Sequence, residues 1–64
     1  MGLEIVIERW QGLDGKTDFR WSVWHEGKRI QMGGAFGEAA ACEAEAQQFC
    51  LTAFGRPSDR VTRL

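Results

Sequence analysis

Side chains able to do chemistry are scarce in this sequence. His25, Cys42 and Cys50 are its one histidine and its two cysteines. A thiol becomes a nucleophile when a neighbouring base or positive field lowers its pKa and water can reach it. Zinc takes its ligands from close pairs such as CxxC or HxxxH, and neither spacing occurs. Cys42 and Cys50 both fall in a stretch with helical periodicity, where eight positions span about 12 Å, too far for a disulfide between them. Both point to the apolar stripe of that helix, where cysteine acts as a small hydrophobe. His25 ends a strand beside Glu26 and reads as a partly exposed polar residue. No residue is therefore assigned a catalytic, cofactor-binding or metal-ligating role, and the chain reads as non-enzymatic, with no cofactor.

Recognition chemistry is better represented. Phe19-Arg20-Trp21-Ser22-Val23-Trp24 alternates as a half-buried strand does, because successive side chains leave opposite faces. Phe19, Trp21 and Val23 take the core face, and Arg20, Ser22 and Trp24 take the other. An indole on the face away from the core asks for a partner. Val6, Trp10, Arg20, Trp24 and Arg29 are the expected interaction surface on that open sheet face. Aromatic and basic side chains on an open sheet also suit stacked, unpaired bases. However, Glu4, Glu8 and Glu26 share the region, Glu8 can pair with Arg20, and no RNP-like motif is present.

The elements that must position these residues follow from periodicity. Leu3–Trp10 alternates, with Leu3, Ile5 and Ile7 on one face and Glu4, Val6, Glu8 and Trp10 on the other. Gln11–Asp18 is a polar connection with an Asp14-Gly15 turn signal. A second strand covers 19–25. Glu26-Gly27 then makes a two-residue hairpin turn, and a third strand covers 28–32. That turn pairs Trp24 with Arg29, Val23 with Ile30 and Trp21 with Met32. It keeps Ile30 and Met32 in the core and sets Arg29 against the Trp24 ring. Gly33-Gly34 ends the third strand. A helix covers 37–54, with Ala39, Cys42, Ala46, Phe49, Cys50 and Ala53 on its core stripe. Gly55 stands at the C′ position, and Pro57 prevents continuation. The expected fold is α+β: a three-stranded antiparallel sheet (3–10, 19–25, 28–32) with one α-helix (37–54) packed on one face. Residues 1–55 make a single βββα domain, and 56–64 form a C-terminal tail able to fray or to add a short strand through Val61 and Leu64.

A second apolar line runs along the helix. Ala40, Ala44, Gln47 and Leu51 project away from the core, with Phe54 at the margin. Ala40, Ala44, Leu51 and Phe54 are the alternative interface, through which another helix could approach closely. Pairing of strand edges is a third route to self-association.

Composition limits the rest. With 64 residues, 44% of them hydrophobic and 27% charged, the chain is one ordinary globular domain, and its net charge of −1 supplies no field for nucleic acid or anionic membrane. A domain this short buries only about 60% of its unfolded surface, and oligomerisation is a common remedy. No apolar run approaches a membrane span. Met1-Gly2-Leu3-Glu4 lacks the basic and apolar regions of a secretory leader, and Val6 stands where a myristoylation signal has Ser or Thr. Free thiols agree with a reducing compartment, so the expected location is cytoplasmic.

Phe19-Arg20-Trp21, Gly27, Ile30, Phe36 and Ala40 together resemble the YegP-type family of small bacterial proteins. That family has an F-R-W strand, a glycine turn, a third strand and an aromatic residue before a helix. Gly33 and Phe36 stand where it usually has serine and tyrosine. The resemblance implies a compact ββ(β)α unit, found in tandem or as self-associating single copies, with no established biochemical activity. Glu4-Ile5-Val6-Ile7-Glu8, followed by two strands and an alanine-rich helix, also resembles the N-terminal half of HicB-type antitoxins. The D-x-P-G element of that family is absent, as is an appended DNA-binding segment. The expected function is a small protein-interaction module that self-associates, as a homodimer or with an unidentified protein partner. The alternatives are a single-stranded nucleic-acid binder acting through the open sheet face and an antitoxin-like, toxin-neutralising protein.

Overall fold

The alternation of the first six strand residues is visible as burial. In β1 (Leu3–Gln11), Leu3, Ile5 and Ile7 are sealed on one face, while Glu4, Val6 and Glu8 are half-buried on the other. This computed structural model describes residues 2–64. Met1, the start of the N-terminal stretch assessed above for a leader or lipid signal, lies outside the described residues.

β1 pairs antiparallel with β2 (Thr17–His25) in one unbroken register, from Leu3 opposite His25 to Gln11 opposite Thr17. Glu26 and Gly27 then turn the chain with φ of 52° and 82°. Two successive positive φ values give the turn whose twist matches that of the flanking strands. His25 therefore faces Lys28 and Trp24 faces Arg29, at the start of β3 (Lys28–Phe36).

The register then slips. Val23 lies opposite Gln31, Ser22 opposite Met32 and Trp21 opposite Gly33, so Ile30 is an extra residue in β3. A second slip makes Ala35 extra, between Arg20–Gly34 and Phe19–Phe36. Each bulge inserts one residue and reverses the alternation beyond it. The expected pairs Val23–Ile30 and Trp21–Met32 are accordingly absent. Ile30 is 41% exposed and Met32 59% exposed, so neither joins the core. Glycine at 33 does not end the strand either. It lies beneath the Trp21 ring, and pairing continues to Phe36.

The helix α1 spans Ala39–Phe54, two residues shorter at its start than the periodicity predicts. Glu38, with extended φ and ψ of −138° and 141°, precedes it, so Gly37 belongs to the linker. Gly55 closes the helix in the left-handed conformation (φ 71°), and its N–H donates to the Leu51 carbonyl. Cys42, Ala46 and Cys50 form the buried stripe against Leu3, Ile5, Ile7, Trp21 and Val23, with Ala39, Phe49 and Phe54 packed at its margin. Burying each large side chain of this set contributes about 1.5–3 kcal/mol. Ala53, expected on the stripe, is exposed. The last helical turn meets the sheet through Phe54 instead, whose ring lies 5.0 Å from that of His25.

The tail completes the sheet. β4 (Arg60–Arg63) pairs parallel with β1, from Glu4 opposite Arg60 to Ile7 opposite Arg63. The sheet therefore has four strands in the order β3-β2-β1-β4, mixed rather than purely antiparallel. Several ties hold the tail. Asp59 accepts from the Leu3 N–H and donates its own N–H to the Leu3 carbonyl, both across β1. Gln47 grips Ser58 twice, accepting from its N–H and donating to its Oγ. Arg63 reaches Glu43 of the helix at 2.8 Å. No described helix is long and apolar enough to cross a membrane.

Candidate functional site

Three tryptophans define the two faces of the sheet. Trp21 is buried under the helix, its Nε1–H donating to Glu45 Oε1 at 3.0 Å and its ring tilted against Phe49 at 6.3 Å. Trp24 leaves the opposite face. Its Nε1–H donates to Ser22 Oγ at 2.9 Å, two residues back on the same side of β2. The indole is thus folded back along its own strand, and Ser22 beneath it is only 5% exposed. Trp10 shares the outer face and is 50% exposed, with the Arg20 guanidinium 5.1 Å from the centre of its ring.

The ladder arranges this outer face in rows. Glu4 lies opposite Trp24, Val6 opposite Ser22, Glu8 opposite Arg20 and Trp10 opposite Asp18. Trp10 and Trp24 are therefore six residues apart along the hairpin, about 20 Å. They do not form one patch. Val6, Ser22 and Met32 share the row next to Trp24, and Met32 is the largest apolar exposure there. The spacing alone places Met32 in the core, and the bulge at Ile30 is what turns it outward. Arg29 faces Trp24 in register, but the guanidinium that covers an indole is that of Arg20, on Trp10. The bulge immediately after Arg29 re-aims the chain there. Arg20 also stands opposite Glu8, and it is the Trp10 ring that the guanidinium covers.

Acidic and basic groups on this face engage one another. The Glu4 carboxylate accepts from Thr62 Oγ1 at 2.7 Å and pairs with Arg60 at 3.1 Å. These hydrogen bonds, that from Thr62 first and that from Arg60 next, hold its pKa below the ordinary carboxylate value. The Asp59 carboxyl is likewise held low, first by the Leu3 N–H and then by Arg56. Glu4 and Asp59 flank a concavity of about 430 Å³ whose other walls are Gly2, Leu3, Trp24, Gly27 and Arg60. Both carboxylates are held toward their charged form and are already engaged, Glu4 by Thr62 and Arg60 and Asp59 by the Leu3 N–H and Arg56.

The remaining chemical residues are placed as follows. Cys42 and Cys50 are free and fully buried, and burial pushes both thiols above their ordinary pKa, with Glu45 adding to the rise at Cys42. That environment makes a thiol inert. His25 lies 3.5 Å from Glu26 at the hairpin turn. Among the described residues, no three His, Cys, Asp or Glu side chains come together as metal ligands.

On the helix, Ala40 and Ala44 are exposed and line a shallow hollow beside Glu43, Gln47 and Arg63. Leu51 is also exposed, whereas Phe54 turns to the core side. Those four residues therefore do not form one stripe. Sequence reasoning missed Gly33, Met32 and the Gln47–Ser58 clasp. The unbroken register sets Met32 opposite Trp21, so no signal in the sequence pointed to Gly33. Nothing in the local pattern announces the clasp. Comparison with family models, curated proteins and solved structures found no match to this chain.

Proposed function

We propose that this chain is a small, non-enzymatic interaction module that self-associates through its outer sheet face. One observation carries the reading: Trp10 and Met32, two large apolar side chains, stand half-exposed or more on a face that takes no part in the core. The two are four rows and two strands apart, so what they share is the face and not one contiguous patch, and a contact across that face would have to span both. The helix side offers less, since Phe54 is withdrawn and Gln47 is spent on Ser58. The resemblance to self-associating single-copy proteins of the YegP type agrees with this role.

Nucleic-acid binding through the same face is the second reading, and the geometry favours it less. The exposed indole already has a guanidinium over it, while Trp24 lies folded on Ser22. Stacking a base on either would require displacing that contact.

Light scattering at rising protein concentration tests the proposal. The wild type gains mass, Met32→Ser loses the gain, and Leu51→Ser keeps it. Loss with Leu51→Ser alone would transfer the contact to the helix.

A further inference from the structure

β1 outruns its neighbour. The β4 register stops at Ile7, and Leu64 adds one more hydrogen bond, from its N–H to the Ile7 carbonyl at 2.9 Å. β1 continues to Gln11, and every residue from Arg9 to Thr17 is exposed. This arm is the reason a 64-residue chain measures 39 Å along one axis and 19 and 15 Å along the others.

The direction of its backbone groups follows from bonds already described. The Leu3 and Ile7 carbonyls accept from the β4 side, and the Gly2 carbonyl accepts from Glu26 on the β2 side. In a ladder the N–H and C=O of one residue share a side, and successive residues alternate. Arg9 and Gln11 therefore direct both groups into the slot beyond the end of β4. Trp10, between them, bonds toward β2.

We infer that a second copy of this chain fills that slot, pairing β1 with β1 antiparallel about a two-fold axis at Trp10. This takes from the reading above only that the chain self-associates, and it sets the contact at the β1 edge, beside the outer face rather than on it. Arg9 then exchanges hydrogen bonds with the partner's Gln11, and Gln11 with the partner's Arg9. Trp10 falls opposite the partner's Trp10 at the non-hydrogen-bonded position, where side chains approach most closely and aromatic pairs contribute most. Arginine faces glutamine, so no like charges oppose each other.

The other edges are worse templates. β3 carries two bulges, which disrupt a free edge, and β4 is four residues long with an arginine at each end. The β1 arm is regular, without a slip from Leu3 to Gln11. One adjustment is needed. The partner's Gly12 arrives level with Glu8, where Leu64 now sits, so the terminal residue swings aside. The contact is small, and the dimer accordingly weak and dependent on concentration.

Backbone amide exchange of the full chain, dilute and concentrated, tests this. The Arg9 and Gln11 amides should slow about tenfold in the concentrated sample, the signature of new hydrogen bonds. Arg9→Pro removes an N–H that only the free edge uses, and should abolish the dimer while keeping the fold. Deleting Leu64 clears the slot and should tighten association, an outcome independent of how the proline variant folds. Looser association after that deletion overturns the pairing. A dimer whose Arg9 and Gln11 amides exchange as in the monomer also overturns it, yet leaves association through the sheet face standing. A monomer at every concentration overturns both.

Discussion

The Trp21 indole occupies the space that a side chain on Gly33 would need. A Cβ at Gly33 would lie 2.7 Å from Cζ2 and 2.8 Å from Cε2 of that ring. Trp21 and Gly33 are ladder partners, so the largest core side chain is accommodated by the smallest residue on the adjacent strand. Gly33→Ala should destabilise the protein by about 1–3 kcal/mol, because the ring must leave its position and strain its contact with Phe49. Denaturant unfolding followed by tryptophan fluorescence measures this, and a change under about 0.5 kcal/mol would show that the ring moves freely.

This pairing also marks what was legible in the sequence. Two-residue alternation in Leu3–Ile7 and Phe19–Trp24 gave the sheet faces directly, since burial in a strand has no other period. The glycines at 27 and 55 marked the hairpin turn and the helix end because both positions have positive φ. β3 was misread beyond Arg29 because Ile30 and Met32 fit an unbroken register as well as a bulged one. Only the tertiary position of Trp21 over Gly33 selects between them. A short added strand in the tail was one of its two expected outcomes, but its parallel place beside β1 has no local signal, being set by side-chain ties from Gln47, Asp59 and Glu4 that join distant parts of the chain. The outer-face residues were grouped by parity alone. Parity fixes the side of a strand but not the distance along it, which is why Trp10 and Trp24 separate.

Glu26 holds φ of 52°, a conformation that costs most residues free energy but suits asparagine. Glu26→Asn should stabilise the fold by about 0.5–1 kcal/mol, since the exposed contact with His25 that it removes is worth little. A thermal melt shows the gain. A lower melting temperature would mean that the Glu26 side chain matters more than the turn.

Acid should loosen β4 through two carboxylates. Glu4 and Asp59 both have folded-state pKa values below their ordinary ones, so the stability they contribute is complete above the unfolded-state values. It is lost as pH falls from about 4 through the depressed folded values. Thermal melts across that window should show a decline that Glu4→Gln makes shallower, because Thr62 and Arg60 then lose their charged acceptor. An equally steep decline in Glu4→Gln would assign the acid sensitivity elsewhere.

The account rests on an outward sheet face that meets a second copy. Dilution of the isotopically labelled protein, followed by backbone and indole N–H chemical shifts, reports which residues leave a contact. Shifts concentrated at Arg20, Met32 and the Trp10 indole, with the Trp21 indole unmoved, are the predicted result. Shifts confined to Ala40, Ala44 and Leu51, or none at any concentration, would contradict it.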